Sequence, residues 1–343
     1  MVLSGLGGRR SEDRGDPGSD NEKPCNVEVI DPVRAALTVD VEDYYHVAAF
    51  RGVVRPEDWL SHESRVVRNT HKVLELFAAH GTRGTFYILG DVAERFPQLV
   101  RDIQSGGHEL GCHSYAHRLV YELSPESFRA DTERALNAIQ DAAGEAVRAY
   151  RAPTFSITPR CSWAIDILLE LGITTDSSIF PVWHDLYGYA GAPRQPFRIV
   201  SNGASLVEFP PPTVKVGRWT LPATGGGYLR QLPLEYQKRC LQSLRDRGFT
   251  SLLYVHPWEF DPEQPRLDAP LGSRIRHYRG LNLTLARVRS LLNFIRFGTV
   301  TEALSSVNLG PAIHLADLGW GEPAAKRARF EAGWRTTAYA LEI

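Results

Sequence analysis

An α/β fold, with a parallel sheet or barrel and helices outside it, is predicted by three features of the sequence. From Arg34 onward short β-like runs alternate with amphipathic helical stretches, as expected where parallel strands are joined by crossover helices. Several of those stretches are bracketed by residues that start or stop helices. The chain of 343 residues, 43% hydrophobic and 23% charged, has room for one barrel of about 250 residues.

The first strand is AALTVD, Ala35 to Asp40, followed by a helix around Arg65 to His80 with Val66, Val67, Val73, Leu74 and Phe77 on or near one face. Gly81 caps its end. GTFYIL (Gly84 to Leu89) is the second strand, DVAERFPQLVRDIQ (Asp91 to Gln104) a helix that runs through Pro97, and HELGCH (His108 to His113) the third strand. Ser124 and Pro125 open a helix that Gly144 stops, with an N-cap hydroxyl and a proline where no amide is needed. VRAYRA and ITTDSS flank a helix from Thr158-Pro159 to Gly172. SLVEFP (Ser205 to Pro210), a helix Leu234 to Arg247 and TSLLYVH (Thr250 to His256) follow, then a last helix, Thr284 to Arg296, and a strand near Phe297 to Thr301. The segment 180–227 is rich in proline and glycine and reads as the kind of long loop that shapes substrate sites.

Residues 1–34 carry little that can be buried and read as a flexible extension; 35–308 read as one folded domain, and 309–343, rich in Ala, Gly and Arg, as a poorly packed tail. Lys and Arg total 39 against 40 for Asp and Glu, which gives no reason to expect nucleic acid or an anionic membrane as partner. The four cysteines lack C-x-x-C spacing, against a cysteine-based zinc site or a disulfide framework. With no run of signal-peptide or spanning length in view, the expected location is the cytoplasm.

The chemistry concentrates at strand ends. His113-Ser-Tyr-Ala-His117 follows the third strand, and two imidazoles four residues apart on one helical turn can grip one cation. Asp40-Val-Glu42-Asp43 ends the first strand, and a metal hydrolase needs both a carboxylate ligand and a carboxylate base. On a strand Asp40 and Glu42 point to one side and Asp43 away from it, unless the chain has already turned.

With TVDVED, HSYAH, RAP, DSS and YVHPWE in that order, the sequence resembles the polysaccharide deacetylase family, also called the NodB-homology or carbohydrate esterase 4 family, from about Ala35 to Leu304. TVDVEDYYHV, TGGGYLRQLP, HPWEFDPEQPR and RIRHYRGLN further resemble the subgroup of exopolysaccharide-export and exosortase (PEP-CTERM) loci. The resemblance implies a distorted (β/α)7-type barrel around a divalent metal, and hydrolysis of N-acetyl groups on an N-acetylhexosamine polysaccharide or its precursor. It makes Asp40 the base, His113 and His117 metal ligands, Arg151 the arginine that orients the base, His256 the general acid and Asp176 the carboxylate that steadies its charge. The third ligand stays open. The common family motif is T-F-D-D, whereas relatives with D-x-D use the second acid; that spacing selects Glu42, with Asp43 as the alternative. Thr154 stands where relatives often carry tyrosine, but the role there belongs to a backbone N–H.

Two nitrogens and one carboxylate suit Zn2+, with Co2+, Ni2+ or Fe2+ compatible on ligand type. Trp258 and Trp183 are candidates to stack on a sugar ring, and Gly226, within Gly225 to Gly227, either lets bare backbone approach the substrate or permits a sharp turn. Two other functions fit the same residues: a hydrolase of small amides such as allantoin, and a carbohydrate-binding protein on an inactive deacetylase scaffold.

Overall fold

The computed structural model describes residues 33–184 and 186–318. In chain order the regular elements are β1 (Ala35–Val41), α1 (Val66–Ala79), β2 (Thr85–Ile88), α2 (Gly90–Arg95), α3 (Pro97–Ser105), β3 (Glu109–Cys112), α4 (Pro125–Ala143), β4 (Ala149–Tyr150), α5 (Trp163–Glu170) and β5 (Thr175–Asp176). They continue with β6 (Phe197–Ser201), β7 (Ala204–Glu208), β8 (Thr213–Val216), β9 (Trp219–Pro222), α6 (Gly226–Gln231), α7 (Leu234–Asp246) and β10 (Ser251–Val255). The last are α8 (Leu271–Tyr278), α9 (Leu281–Leu292), β11 (Phe297–Gly298), α10 (Val300–Ser305) and β12 (Ile313–His314), with short 3-10 turns between several of them.

Ten strands form one sheet in the order β10-β1-β2-β3-β4-β5-β7-β6-β12, with β11 also paired to β1. All pairings are parallel except β6 with β7. Strands β8 and β9 make a separate antiparallel pair. The predicted α/β class, a parallel sheet with helices, is therefore the observed one.

Strand β1 shows why the site forms where it does. Every residue of it is buried. Leu37, Val39 and Val41 join the main apolar core, together with Val66, Val73 and Phe77 of α1. The alternate residues Thr38 and Asp40 turn the other way and both accept from the Arg151 guanidinium. Alternation along one strand thus separates an apolar outer layer from a polar interior.

Several elements depart from expectation. The helix expected across Pro97 is two helices, broken at Phe96 (φ −134°), because a residue before proline is driven out of the α region. The segment expected to be loop contains β6, β8 and β9; only β6 pairs within the main sheet, so burial patterning was weak along it. Helices α8 and α10 were not anticipated. Of the expected tail, 309–318 is described and partly packed: β12 pairs with β6, and Leu318 is buried with its carbonyl accepting from the Tyr189 hydroxyl. Residues 1–32 and 319–343, where the remaining extension and tail were expected, lie outside the described residues.

Among the described residues, no helix is long and apolar enough to cross a membrane.

Candidate metal and acid–base site

Four strand ends converge on one polar cluster. Glu42, one residue past β1, keeps the parity of Asp40, and the two carboxylates face the same imidazole: His256 Nε2 lies 3.8 Å from Asp40 Oδ2 and 3.8 Å from Glu42 Oε1. His117 Nε2 is 2.8 Å from Glu42 Oε2. One ligand atom each from Glu42, His113 and His117 falls within a 4.8 Å cluster, a geometry able to hold a metal ion. His113 donates its Nδ1–H to the Arg151 carbonyl at 2.8 Å, which fixes the tautomer and leaves Nε2 free as a ligand. Burial lowers the His113 pKa to about 4, so the ring is neutral at physiological pH, the form a metal requires. Burial alone would raise the Glu42 carboxyl, but the surrounding imidazoles, His117 first, hold it far below the usual carboxylate range.

Asp43 has another task. Its carboxylate accepts from Ser64 Oγ (2.6 Å), Arg65 N (3.0 Å) and Val66 N (3.3 Å), closing unpaired amides at the start of α1. The geometry thus gathers Glu42, and not Asp43, with the histidines.

The two histidines are not on a helical turn, contrary to expectation. Residues 113–117 form a bent loop in which Ser114 (φ 65°) and His117 (φ 50°) adopt left-handed backbone. Side chains hold this shape: the Ser114 hydroxyl accepts from His117 N at 3.1 Å, and Asp131 of α4 accepts from Tyr115 N at 2.8 Å. The imidazoles still meet, with ring centroids 5.3 Å apart.

Arg151 is fully buried. It donates to Asp40 Oδ1 (2.7 Å), Thr38 Oγ1 (2.8 Å), and the Ser177 carbonyl (3.3 Å) and hydroxyl (3.0 Å), with its charge over the Tyr87 ring. Such a clamp leaves Asp40 one orientation, with Oδ2 toward His256. Just after it, Thr154 (φ 56°) and Phe155 (φ 50°) are both left-handed, a conformation non-glycine residues adopt only when their surroundings hold it; here Phe155 is wedged against Phe180 and Tyr254.

Asp176 does not reach His256. Among the described residues no hydrogen bond or ion pair joins them; Asp176 instead accepts from the Ser178 hydroxyl and stands opposite Glu208 across β5 and β7. Both carboxyls are fully buried, and burial raises both: Asp176 from 3.8 to about 6, Glu208 well above its usual value, with Asp176 adding to the rise. The pair holds a proton that the unfolded chain releases, so its contribution to stability is complete below about pH 4 and is lost as pH rises through 6 and beyond. Glu208→Gln, which removes the more strongly raised carboxyl of the pair, is expected to flatten this decline. Unfolding midpoints between about pH 5 and pH 9 that fall equally steeply in both proteins would refute the shared proton.

The carboxylate beside His256 is Glu259, whose Oε2 accepts from His256 Nδ1 at 3.0 Å and from its backbone N at 2.9 Å. Burial pushes the imidazole down, but Glu259, then Glu42 and Asp40, raise its pKa to about 9. Sequence reasoning missed Glu259, although His256-Pro-Trp-Glu259 carries the i, i+3 spacing of a capping box behind a helix-starting proline.

Trp258 is no sugar platform. It is 5% exposed, the His256 and His277 rings stack on it with centroids 5.1 and 4.2 Å away, and its indole N–H is donated to Glu42 Oε1 at 3.0 Å. It backs the Glu42 carboxylate from behind. Gly226 is also buried: a Cβ there would lie 2.5 Å from the Tyr254 ring, and one on Gly225 (φ 100°) 2.2 Å from it. The glycines therefore serve close packing at the start of α6. Trp183 is half-buried in the loop after β5.

Comparison with known proteins agrees with this layout. Residues 58–175 match the polysaccharide deacetylase family and residues 177–305 a domain of unknown function, DUF3473. The peptidoglycan-N-acetylglucosamine deacetylase of Bacillus cereus is 28% identical over 123 residues, covering 32% of this chain and 44% of that protein. The chitooligosaccharide deacetylase of Sinorhizobium fredii is 33% identical over 100 residues, covering 29% of this chain and 44% of that protein. The chain thus spans less than half the length of these curated relatives. A crystal structure from Mycobacterium smegmatis, assigned to the polysaccharide deacetylases, superposes with a TM-score of 0.53 at 19% identity, covering 78% of this chain and 87% of that one, which establishes the shared fold. Together the family match and the relatives support the polysaccharide deacetylase family for this chain.

Proposed function

We propose that the protein is a metal-dependent hydrolase that removes N-acetyl groups from an N-acetylhexosamine-containing polysaccharide or its precursor, releasing acetate. The observation that carries this reading is the placement of a clamped carboxylate, Asp40, and an imidazole, His256, beside the Glu42, His113 and His117 cluster. The donor set fits a divalent cation, Zn2+ foremost, with Co2+, Ni2+ or Fe2+ as alternatives. Such a cation supplies Lewis acidity at the acetamide carbonyl and acidifies water, to a pKa of about 7 for zinc.

The chain's own residues do the rest. Asp40, aimed by Arg151, takes the proton of the attacking water as the C–O bond forms. His256 is charged at neutral pH and gives its Nε2 proton to the sugar nitrogen as the C–N bond breaks. Products are acetate and a free amine on the sugar. The fuller resemblance to the exopolysaccharide subgroup favours a polymer destined for export over a small cyclic amide such as allantoin. The presence of every acid–base group argues against an inactive binding scaffold.

The test is metal analysis of the purified protein with acetate-release assays on N-acetylglucosamine oligomers and, in parallel, turnover of allantoin. Acetate release that disappears on chelation and returns with Zn2+ is expected. Tight oligomer binding without acetate would instead identify a carbohydrate-binding protein, and allantoin turnover alone a small-amide hydrolase.

A further inference from the structure

We infer that Glu259, locked in place by Arg230, is the positioning residue that holds His256 with Nε2 toward Asp40 and Glu42, in the place the resemblance gave to Asp176. The inference rests on the deacetylase reading above.

The atoms that join Glu259 to His256 and Arg230 are all paired. Glu259 is fully buried. Its Oε2 takes both the ring Nδ1–H and the backbone N–H of His256, and its Oε1 takes Arg230 Nε at 2.6 Å. Arg230, 4% exposed, spends its other donors on the carbonyls at the end of α8: His277 at 2.7 Å and Arg279 at 2.8 Å from Nη1, and Arg276 at 3.4 Å from Nη2. A guanidinium engaged in this way is a structural bolt, and its reach to substrate is closed. With Nδ1 carrying the hydrogen toward Glu259, the ring has one tautomer and one orientation, and only Nε2 faces the cluster. Stacking on Trp258 restricts the ring further.

Asp176 cannot share this duty, since its carboxyl is committed to Ser178 and Glu208. Arg230, His256, Trp258, Glu259 and the α8 carbonyls all lie within residues 177–305. The inference therefore assigns a role to the segment matched as a domain of unknown function: it supplies the proton-donating half of the site, while β1, β3 and β4 supply the metal-gathering and base half.

The test compares Glu259→Gln, His256→Ala and the double variant, all Zn2+-loaded, on N-acetylglucosamine oligomers and on 4-nitrophenyl acetate. The amide needs a proton on its leaving nitrogen; the aryl ester does not. Glu259→Gln is expected to lower the amide-to-ester turnover ratio about 100-fold, with KM and bound zinc within about twofold. Adding it to His256→Ala is expected to cause no further loss, because residues acting as one unit are not additive. The ratio within one sample is independent of how much protein is folded, and Arg230→Lys, which keeps charge but not the fork, is expected to show the same pattern more weakly. In metal-free protein the His256 Nδ1–H resonance is expected to move upfield or vanish in Glu259→Gln, since a charge-assisted bond is lost. An unchanged ratio and resonance, or a loss that multiplies upon His256→Ala, would overturn the inference. If His256→Ala itself retains amide turnover, the failure lies with the acid role in the deacetylase reading.

Discussion

Asp40→Asn is expected to reduce acetate release by roughly 10²–10⁴-fold, the usual contribution of a positioned general base, while leaving the metal bound. The substitution keeps the shape of the side chain and removes the ability to take a proton. The groups placed to hold a metal are those of Glu42, His113 and His117, so on the proposed reading zinc content at saturation should match the wild type. Stability should fall as well. Arg151 is wholly buried and loses its carboxylate partner at 2.7 Å, and breaking a buried ion pair from one side typically costs about 3–5 kcal/mol. The Thr38 and Ser177 oxygens and the Tyr87 ring still surround the guanidinium, which places the loss toward the lower figure. Turnover is therefore compared on folded, zinc-saturated protein, with circular dichroism to establish the folded fraction. Turnover within tenfold of wild type under those conditions would remove Asp40 from the base position.

Much of this site was legible because strand periodicity is strict. Asp40 and Glu42 share a side through i, i+2 alternation, and the observed 3.8 Å approach of both to His256 follows that rule one residue beyond the end of β1. The caps of α4 were equally readable: Ser124 accepts from Ser127 N, and Gly144 takes φ 77°. What escaped the sequence depended on side chains distant in the chain. The 113–117 loop is bent by Asp131 and Ser114, and a H-x-x-x-H spacing does not distinguish such a loop from a helical turn. Asp176 and Glu208 find each other only through the β5–β7 pairing, which involves strands too short to announce a register. Trp258 carries no local signal that its indole will reach Glu42, which is 216 residues away in sequence.

That long-range bond bears on the remaining ligand question, which a pair of isosteric variants decides. Glu42→Gln is expected to weaken zinc binding by more than about 100-fold, beyond the 10–100-fold typical of losing a residue that merely supports a ligand, and to abolish acetate release at limiting metal. Its Oε2 faces His117 at 2.8 Å and its Oε1 is pinned by Trp258, so the neutral amide gains no alternative pose from which to serve as an anionic ligand. Asp43→Asn should leave zinc affinity within a few fold. Its cost should appear in unfolding, at about 1–2 kcal/mol, the scale of a lost helix N-cap, because the carboxylate holds Arg65 N, Val66 N and the Ser64 hydroxyl at the start of α1. Chelator-competition titrations and thermal melts on both variants separate the two roles. If Asp43→Asn sheds zinc while Glu42→Gln keeps it, the third ligand is Asp43, and the chain must turn after Val41 when metal binds.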